Sequence, residues 1–168
     1  MIANVAERVE DHPDLEALIL IGSFAKDTAD EASDVDMVVA VSEGRFDSAW
    51  EERHLLRPPD SLAAWDIRLD PQREIASHRF LSRDVVKVEI LVATPASGFR
   101  LADPIAVVVG DEAVADGFER IPPIDPAVLE QYARNSETKT CCRRSSFATA
   151  ISCARSATPH QAVDERWS

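Results

Sequence analysis

No stretch of this sequence approaches the roughly 18 consecutive apolar residues that a membrane-crossing helix needs. Its first residues carry Glu7, Glu10 and Asp11 in place of the charged-then-apolar pattern of an export signal, so a cytosolic protein is expected. Cysteine is scarce, and Cys141, Cys142 and Cys153 all fall in the last 28 residues. An odd number confined to one end gives no disulfide framework, and no histidine stands at metal-finger spacing beside them. The histidines His12, His54, His78 and His160 are scattered and read as surface or satisfied residues, not ligands. Basic residues are also few, 18 against 30 acidic, for a net charge of −12. The deficit lies in residues 1–136, with 27 acidic and 13 basic side chains, whereas residues 137–168 have 3 and 5. An acidic body argues against nucleic-acid binding, which rests on neutralising phosphates. It is compatible with a small cationic acceptor.

What the sequence does have is a run, Ile19-Leu20-Ile21-Gly22-Ser23, followed by Asp34-Val35-Asp36 leading into Met37-Val38-Val39-Ala40-Val41. It reads as a strand, a Gly-Ser turn opening a short helix, and a second strand with two carboxylates at alternate positions. Residues i and i+2 of a strand point to one face, with Cα atoms roughly 6.6 Å apart. Asp34 and Asp36 can therefore converge on one small volume. Magnesium takes hard oxygen ligands, usually one or two carboxylates plus substrate phosphates, and paired ions clamp the two oxygens of an in-line displacement. Gly22 lacks a Cβ, so backbone can approach a phosphate. Ser23 at a helix start offers its hydroxyl and N–H groups where an anion is favoured. Either half alone is commonly just a turn or a helix cap; the combination points to phosphate transfer.

On these residues the chain resembles the nucleotidyltransferase superfamily related to DNA polymerase beta. Its pattern there is an apolar strand, Gly-Ser, a helix, Asp-x-Asp in the next strand, and a third acid on a later strand. Here the matching piece is Leu20-Ile21-Gly22-Ser23 through Ser33-Asp34-Val35-Asp36-Met37-Val38, and the similarity extends over residues 1–136 in order of elements. The third carboxylate falls best on Glu89, alone among the apolar residues of Val85-Val86-Lys87-Val88-Glu89-Ile90-Leu91-Val92. A lone acid in an apolar strand is costly unless paired or metal-bound. Asp66, in Trp65-Asp66-Ile67-Arg68-Leu69, is the competitor, and an outward-facing Glu89 beside Lys87 is the plain structural alternative. One departure is visible: many relatives have a basic residue then Gly after Gly-Ser-x-Ala, and this chain has Ala25-Lys26-Asp27.

The resemblance implies an α+β fold, a mixed β-sheet with helices mainly on one side. It implies two Mg2+ ions on Asp34, Asp36 and Glu89, and an NTP, ATP foremost, as donor substrate. Gly22 and Ser23 would hold its β and γ phosphates. The acceptor would be a small aminoglycoside-like molecule, or a partner protein as in the minimal nucleotidyltransferases that act as antitoxins. A non-catalytic nucleotide-binding or antitoxin-type module, and an inactive fragment lacking the acceptor-binding helices, are the rival readings.

Along the chain, Ile2, Val5, Ala6 and Val9 predict an amphipathic helix over 2–11, before a strand from Leu15 to Ile21. Thr28 to Ser33 reads as a polar loop. Residues 46–57 read as a helix with Phe46, Trp50, Leu55 and Leu56 toward the core. Strands are expected at 65–69, 76–81, 85–93 and 105–109, with a turn at Ser82-Arg83-Asp84 and a stop at Gly110-Asp111. Asp125-Pro126 opens a further helix to 134, whose Val128, Leu129 and Tyr132 are expected to support self-association. Residues 137–168 lack a sustained apolar period and are expected to be an irregular tail, either native or the product of truncation or a frameshift.

Overall fold

The computed structural model describes residues 1–70, 73–123, 125, 127 and 128. Of the expected 126–134 helix only Ala127 and Val128 are described, both helical and with Val128 exposed; the rest of it, the tail from 137, the three cysteines and His160 lie outside the described residues. The chain divides into two units, Met1–Asp125 and Pro126–Ser168, and the β-sheet with its helices belongs to the first.

The local pattern sets the elements. Helix α1 (Ile2–Asp11) buries Val5 and Val9, with Met1, Ile2 and Ala6 beside them. It leads into β1 (Leu15–Ile21), then one turn of helix, α2 (Gly22–Ala25), then β2 (Val35–Val41). Helix α3 (Phe46–Glu51) and a 3-10 turn, Arg53–Leu56, replace the single helix expected over 46–57. Arg53 Nη1 donates to the Trp50 carbonyl at 2.7 Å, taking an acceptor that a continuing helix would use. Phe46, Trp50 and Leu56 are buried as expected, but Leu55 is 43 % exposed and is no core residue.

A meander follows: β3 (Ala63–Asp70), β4 (Ile75–Leu81) and β5 (Lys87–Ala93). The expected strand at 85–93 starts two residues late because Val85 adopts φ +63° in the turn, where its N–H donates to the Ser82 carbonyl. Then come a 3-10 turn (Pro95–Ser97), β6 (Arg100–Ala102), β7 (Ala106–Gly110), α4 (Glu112–Asp116) and β8 (Glu119–Ile121). Asp111, expected only to stop β7, also caps α4, accepting from the Ala113 N–H at 2.9 Å.

Six strands form one mixed sheet in the order β3-β4-β5-β2-β1-β7. The β2–β5 pair is parallel and the other pairs are antiparallel, while β6 and β8 make a separate parallel pair. Alternate residues Leu18, Met37, Val39, Ile90, Val92 and Phe80 turn to one face, where they form the main core with Val5, Val9, Phe46, Trp50 and Leu56 of the helical layer. Ile19, Val38 and Leu91 turn the other way and are also buried. Strands buried on both faces read as continuous apolar runs, and in β2 only Asp36 interrupts the run. The α+β class expected from the sequence is the one observed. Among the described residues no helix is long and apolar enough to cross a membrane.

Gly110 fixes the outer edge. It pairs with Ala17 at φ +91°, and a Cβ there would lie 2.1 Å from the Glu16 carbonyl oxygen and 2.8 Å from the Ala17 Cα. Both obstacles are backbone and cannot swing aside. Gly110→Ala is expected to cost about 2–4 kcal/mol, from positive-φ strain together with displacement of β7. Denaturant titration measures it, and a loss below about 1 kcal/mol would show that the edge yields freely.

Candidate active site

Register brings the acids together. Val35 to Ala40 of β2 pair in parallel with Val88 to Ala93 of β5, which sets Asp36 directly beside Glu89. Ile21, the last residue of β1, flanks Asp36 on the other side, and Arg79 of β4 flanks Glu89. Paired residues on neighbouring strands share a face, so Asp36, Glu89 and Arg79 form one row across the sheet. Asp34, just before β2 begins, stands on the same face as Asp36.

Each acid has a different environment. Asp34 is partly exposed, and Lys87 Nζ donates to its Oδ2 at 2.7 Å. Glu89 is 1 % exposed. Its Oε1 accepts from Arg79 Nη2 at 2.7 Å and from the Ser77 hydroxyl at 2.9 Å, while Arg79 Nε donates to Ser77 Oγ at 3.0 Å. Among the described residues Asp36 Oδ1 has neither kind of support. Burial, then the neighbouring charge of Glu89, push its carboxyl up to about 7, with Asp34 adding to the rise and Lys87 and Arg79 opposing it. Asp36 Oδ1 and Glu89 Oε2 are both buried and have no hydrogen-bond partner among the described residues.

A buried acceptor left without a donor is costly, and two of them in one acidic row are relieved by a cation. The donors are hard carboxylate oxygens, the set that suits Mg2+ and not a softer metal. Asp36 and Glu89 therefore fit the group expected there. Asp34 is held on Lys87, and among the described residues no three His, Cys, Asp or Glu side chains converge at metal-binding spacing.

Gly22 supports the same corner. It adopts φ +71°, a conformation glycine takes without strain, and a Cβ would meet Asp36 Oδ2 at 3.4 Å. The glycine thus leaves open the space over that carboxylate. Ser23 follows it, half-buried, in the single turn of α2. Asp27, the departure noted in the sequence, takes φ +55° at the end of that turn and is exposed.

Asp66 is not brought to this site. It pairs with His78, which pairs with Ile90, so it belongs to the opposite, helix-covered face. There it accepts from Arg53 at 2.7 Å and meets His78 Nδ1 at 2.7 Å, with the Arg53 guanidinium 4.6 Å from the Trp50 ring centre. Burial raises the Asp66 carboxyl, but the hydrogen bonds from Arg53 and His78 outweigh it and hold the group below its ordinary range. Its role is to tie β3 to the 3-10 turn. Sequence reasoning placed Lys87 only as a solvent-side neighbour of Glu89 and assigned no role to Arg79 or Ser77. The available signal was parity: Lys87 shares a face with Glu89, and Ser77 and Arg79 share one within β4.

A comparison with curated proteins finds no match. The family model described as Polymerase beta, Nucleotidyltransferase matches residues 3–90, a span running from α1 through the Gly22 turn and Asp34/Asp36 to Glu89. The match covers more than half of the chain and ends just past Glu89, so the chain belongs to the polymerase beta-like nucleotidyltransferase family.

Proposed function

We propose that the protein transfers a nucleoside monophosphate from an NTP, ATP foremost, to a hydroxyl or similar group on an acceptor, with two magnesium ions. The observation that supports this most directly is the pair of buried, partnerless oxygens, Asp36 Oδ1 and Glu89 Oε2, carried at paired positions of adjacent strands. Asp34 and Asp36 would hold both ions and Glu89 the one nearer the acceptor. Bound magnesium supplies charge neutralisation and alignment of the phosphates. Gly22 and Ser23 would hold the β and γ phosphates by close backbone approach and hydroxyl and N–H donation. In the transfer, the acceptor oxygen bonds to the α-phosphorus as the bond from that phosphorus to the β-phosphate oxygen breaks. Pyrophosphate leaves, and Glu89, placed beside the acceptor, would help to take the proton that the acceptor gives up. Catalysis is then mainly positioning and electrostatics. The −12 net charge favours a small cationic acceptor, aminoglycoside-like, over nucleic acid.

A second reading, a nucleotide-binding module without transfer, draws on the ion pairs that engage Asp34 and Glu89. Calorimetry with ATP and magnesium tests the site: binding is expected to require the metal and to be lost in Asp34→Asn/Asp36→Asn. Undiminished magnesium-dependent binding in that variant would overturn the assignment. NTP consumption, measured with and without a panel of aminoglycosides, separates transferase from binder.

A further inference from the structure

The row of acids comes with cations whose positions are set by the same register. Lys87 stands two residues before Glu89 on β5, on the same face, and Asp34 stands two residues before Asp36. Because Val35 pairs with Val88, the next positions outward set Asp34 beside Lys87, just as Asp36 is set beside Glu89. One neighbouring pair is thus acid with base and the other acid with acid. The two ion pairs at the site, Arg79 with Glu89 and Lys87 with Asp34, differ in burial as well. Arg79 and Glu89 have side chains 9 % and 1 % exposed, whereas Lys87 and Asp34 are 21 % and 34 % exposed.

That contrast decides which cation can leave. A partly exposed pair is weakly held, while a buried one breaks only by stranding a charge. Lysine carries a compact ammonium with three donors on a flexible four-carbon stem, so it can trade one anionic partner for another within reach. Asp36 Oδ1 and Glu89 Oε2 have no hydrogen-bond partner among the described residues. The third carboxylate, Asp34, is engaged instead by the 2.7 Å bond from Lys87.

We propose that Lys87 is a displaceable counter-ion: it holds Asp34 in the metal-free protein and transfers to a phosphate oxygen of the bound nucleotide when Asp34 turns to the metal. The inference rests on the nucleotidyl-transfer reading and adds to it a positioning residue. Metal and nucleotide then bind cooperatively, because the phosphate gives the ammonium a new partner and so lowers the cost of releasing Asp34. Lys87 competes with the metal when nucleotide is absent and assists binding when it is present.

The test measures the two halves separately, on the full chain, by Mn2+ titration followed by electron paramagnetic resonance and by calorimetry with a non-hydrolysable ATP analogue in magnesium. Lys87→Met keeps the stem and removes the charge. It is expected to bind Mn2+ alone at least threefold more tightly than wild type, and to bind the analogue at least tenfold more weakly. Lys87→Arg, which keeps the charge, is expected to retain analogue binding within a few-fold and confirms that position 87 tolerates replacement. Unchanged or weaker Mn2+ affinity in Lys87→Met overturns the counter-ion role, and unchanged analogue affinity overturns the phosphate role. Wild-type protein that binds neither Mn2+ nor the analogue overturns the nucleotidyl-transfer reading itself.

Discussion

Asp36→Asn is expected to melt at a higher temperature than wild type in metal-free buffer at pH 8, and at the same temperature near pH 4. The ordinary carboxyl value of 3.8 is raised in the folded protein to about 7, first by burial and then by the charge of Glu89. Between pH of about 4 and about 7 the folded state therefore keeps a proton that the unfolded chain has already released. The stability linked to that proton is fully present below about pH 4 and is lost as pH rises through about 7. A shift of this size corresponds to a few kcal/mol, at about 1.4 kcal/mol per pH unit. Asparagine stays neutral throughout and escapes the loss, which gives a gain of several degrees at pH 8. Magnesium should raise the melting point of wild type at pH 8, by binding the ionised native state, and leave the variant nearly unmoved. Parallel melting-temperature profiles for the two proteins from pH 4 to 8 would remove Asp36 as a buried, poorly compensated acid. The same substitution is expected to abolish magnesium-dependent nucleotide binding, so stability and function move in opposite directions at one residue.

The second large effect belongs to Arg79 and Glu89. Their 2.7 Å pair is buried, and the Ser77 hydroxyl completes it. Removing one charge leaves the other uncompensated, which typically costs about 3–5 kcal/mol. Arg79→Met is expected to fall in that range by urea denaturation, and Arg79→Met/Glu89→Leu to regain most of the loss, because neither member of the pair is then left without the other. Equal instability of the single and double variants would show that the pair does not account for the cost. Glu89→Gln differs, since the amide oxygen can still accept from Arg79. It is expected to fold, to keep nucleotide affinity within a few-fold, and to lose turnover by roughly 10²-fold or more, the range for a positioned acid–base group. Lost affinity with retained turnover would place Glu89 on the donor side of the reaction instead.

Much of the site was legible because its parts are local. Gly22 takes a left-handed backbone angle in its own turn, and the two-residue spacing of Asp34 and Asp36 sets them on one face although β2 itself begins at Val35. Glu89 stood out as an acid in an apolar run. What misled was equally local. Leu55 fits a helical period that Arg53 interrupts by taking the Trp50 carbonyl, and Val85 fits an apolar strand that a left-handed turn residue delays.

By itself the sequence determined the helix at 2–11, the apolar strands, the Gly22 turn and the identity of the acids, since each arises from the period and chemistry of neighbouring residues. The tertiary structure decided which acids meet. The parallel pairing of β2 with β5 puts Glu89 beside Asp36, and the pairing of β3 with β4 sends Asp66 to the other face. It also joined Lys87 to Asp34, 53 residues away. Such contacts are set by strand order and register, and a one-residue slip would reverse every face; the main core at Phe80, Ile90 and Met37 holds that register, and no local pattern of residues encodes it.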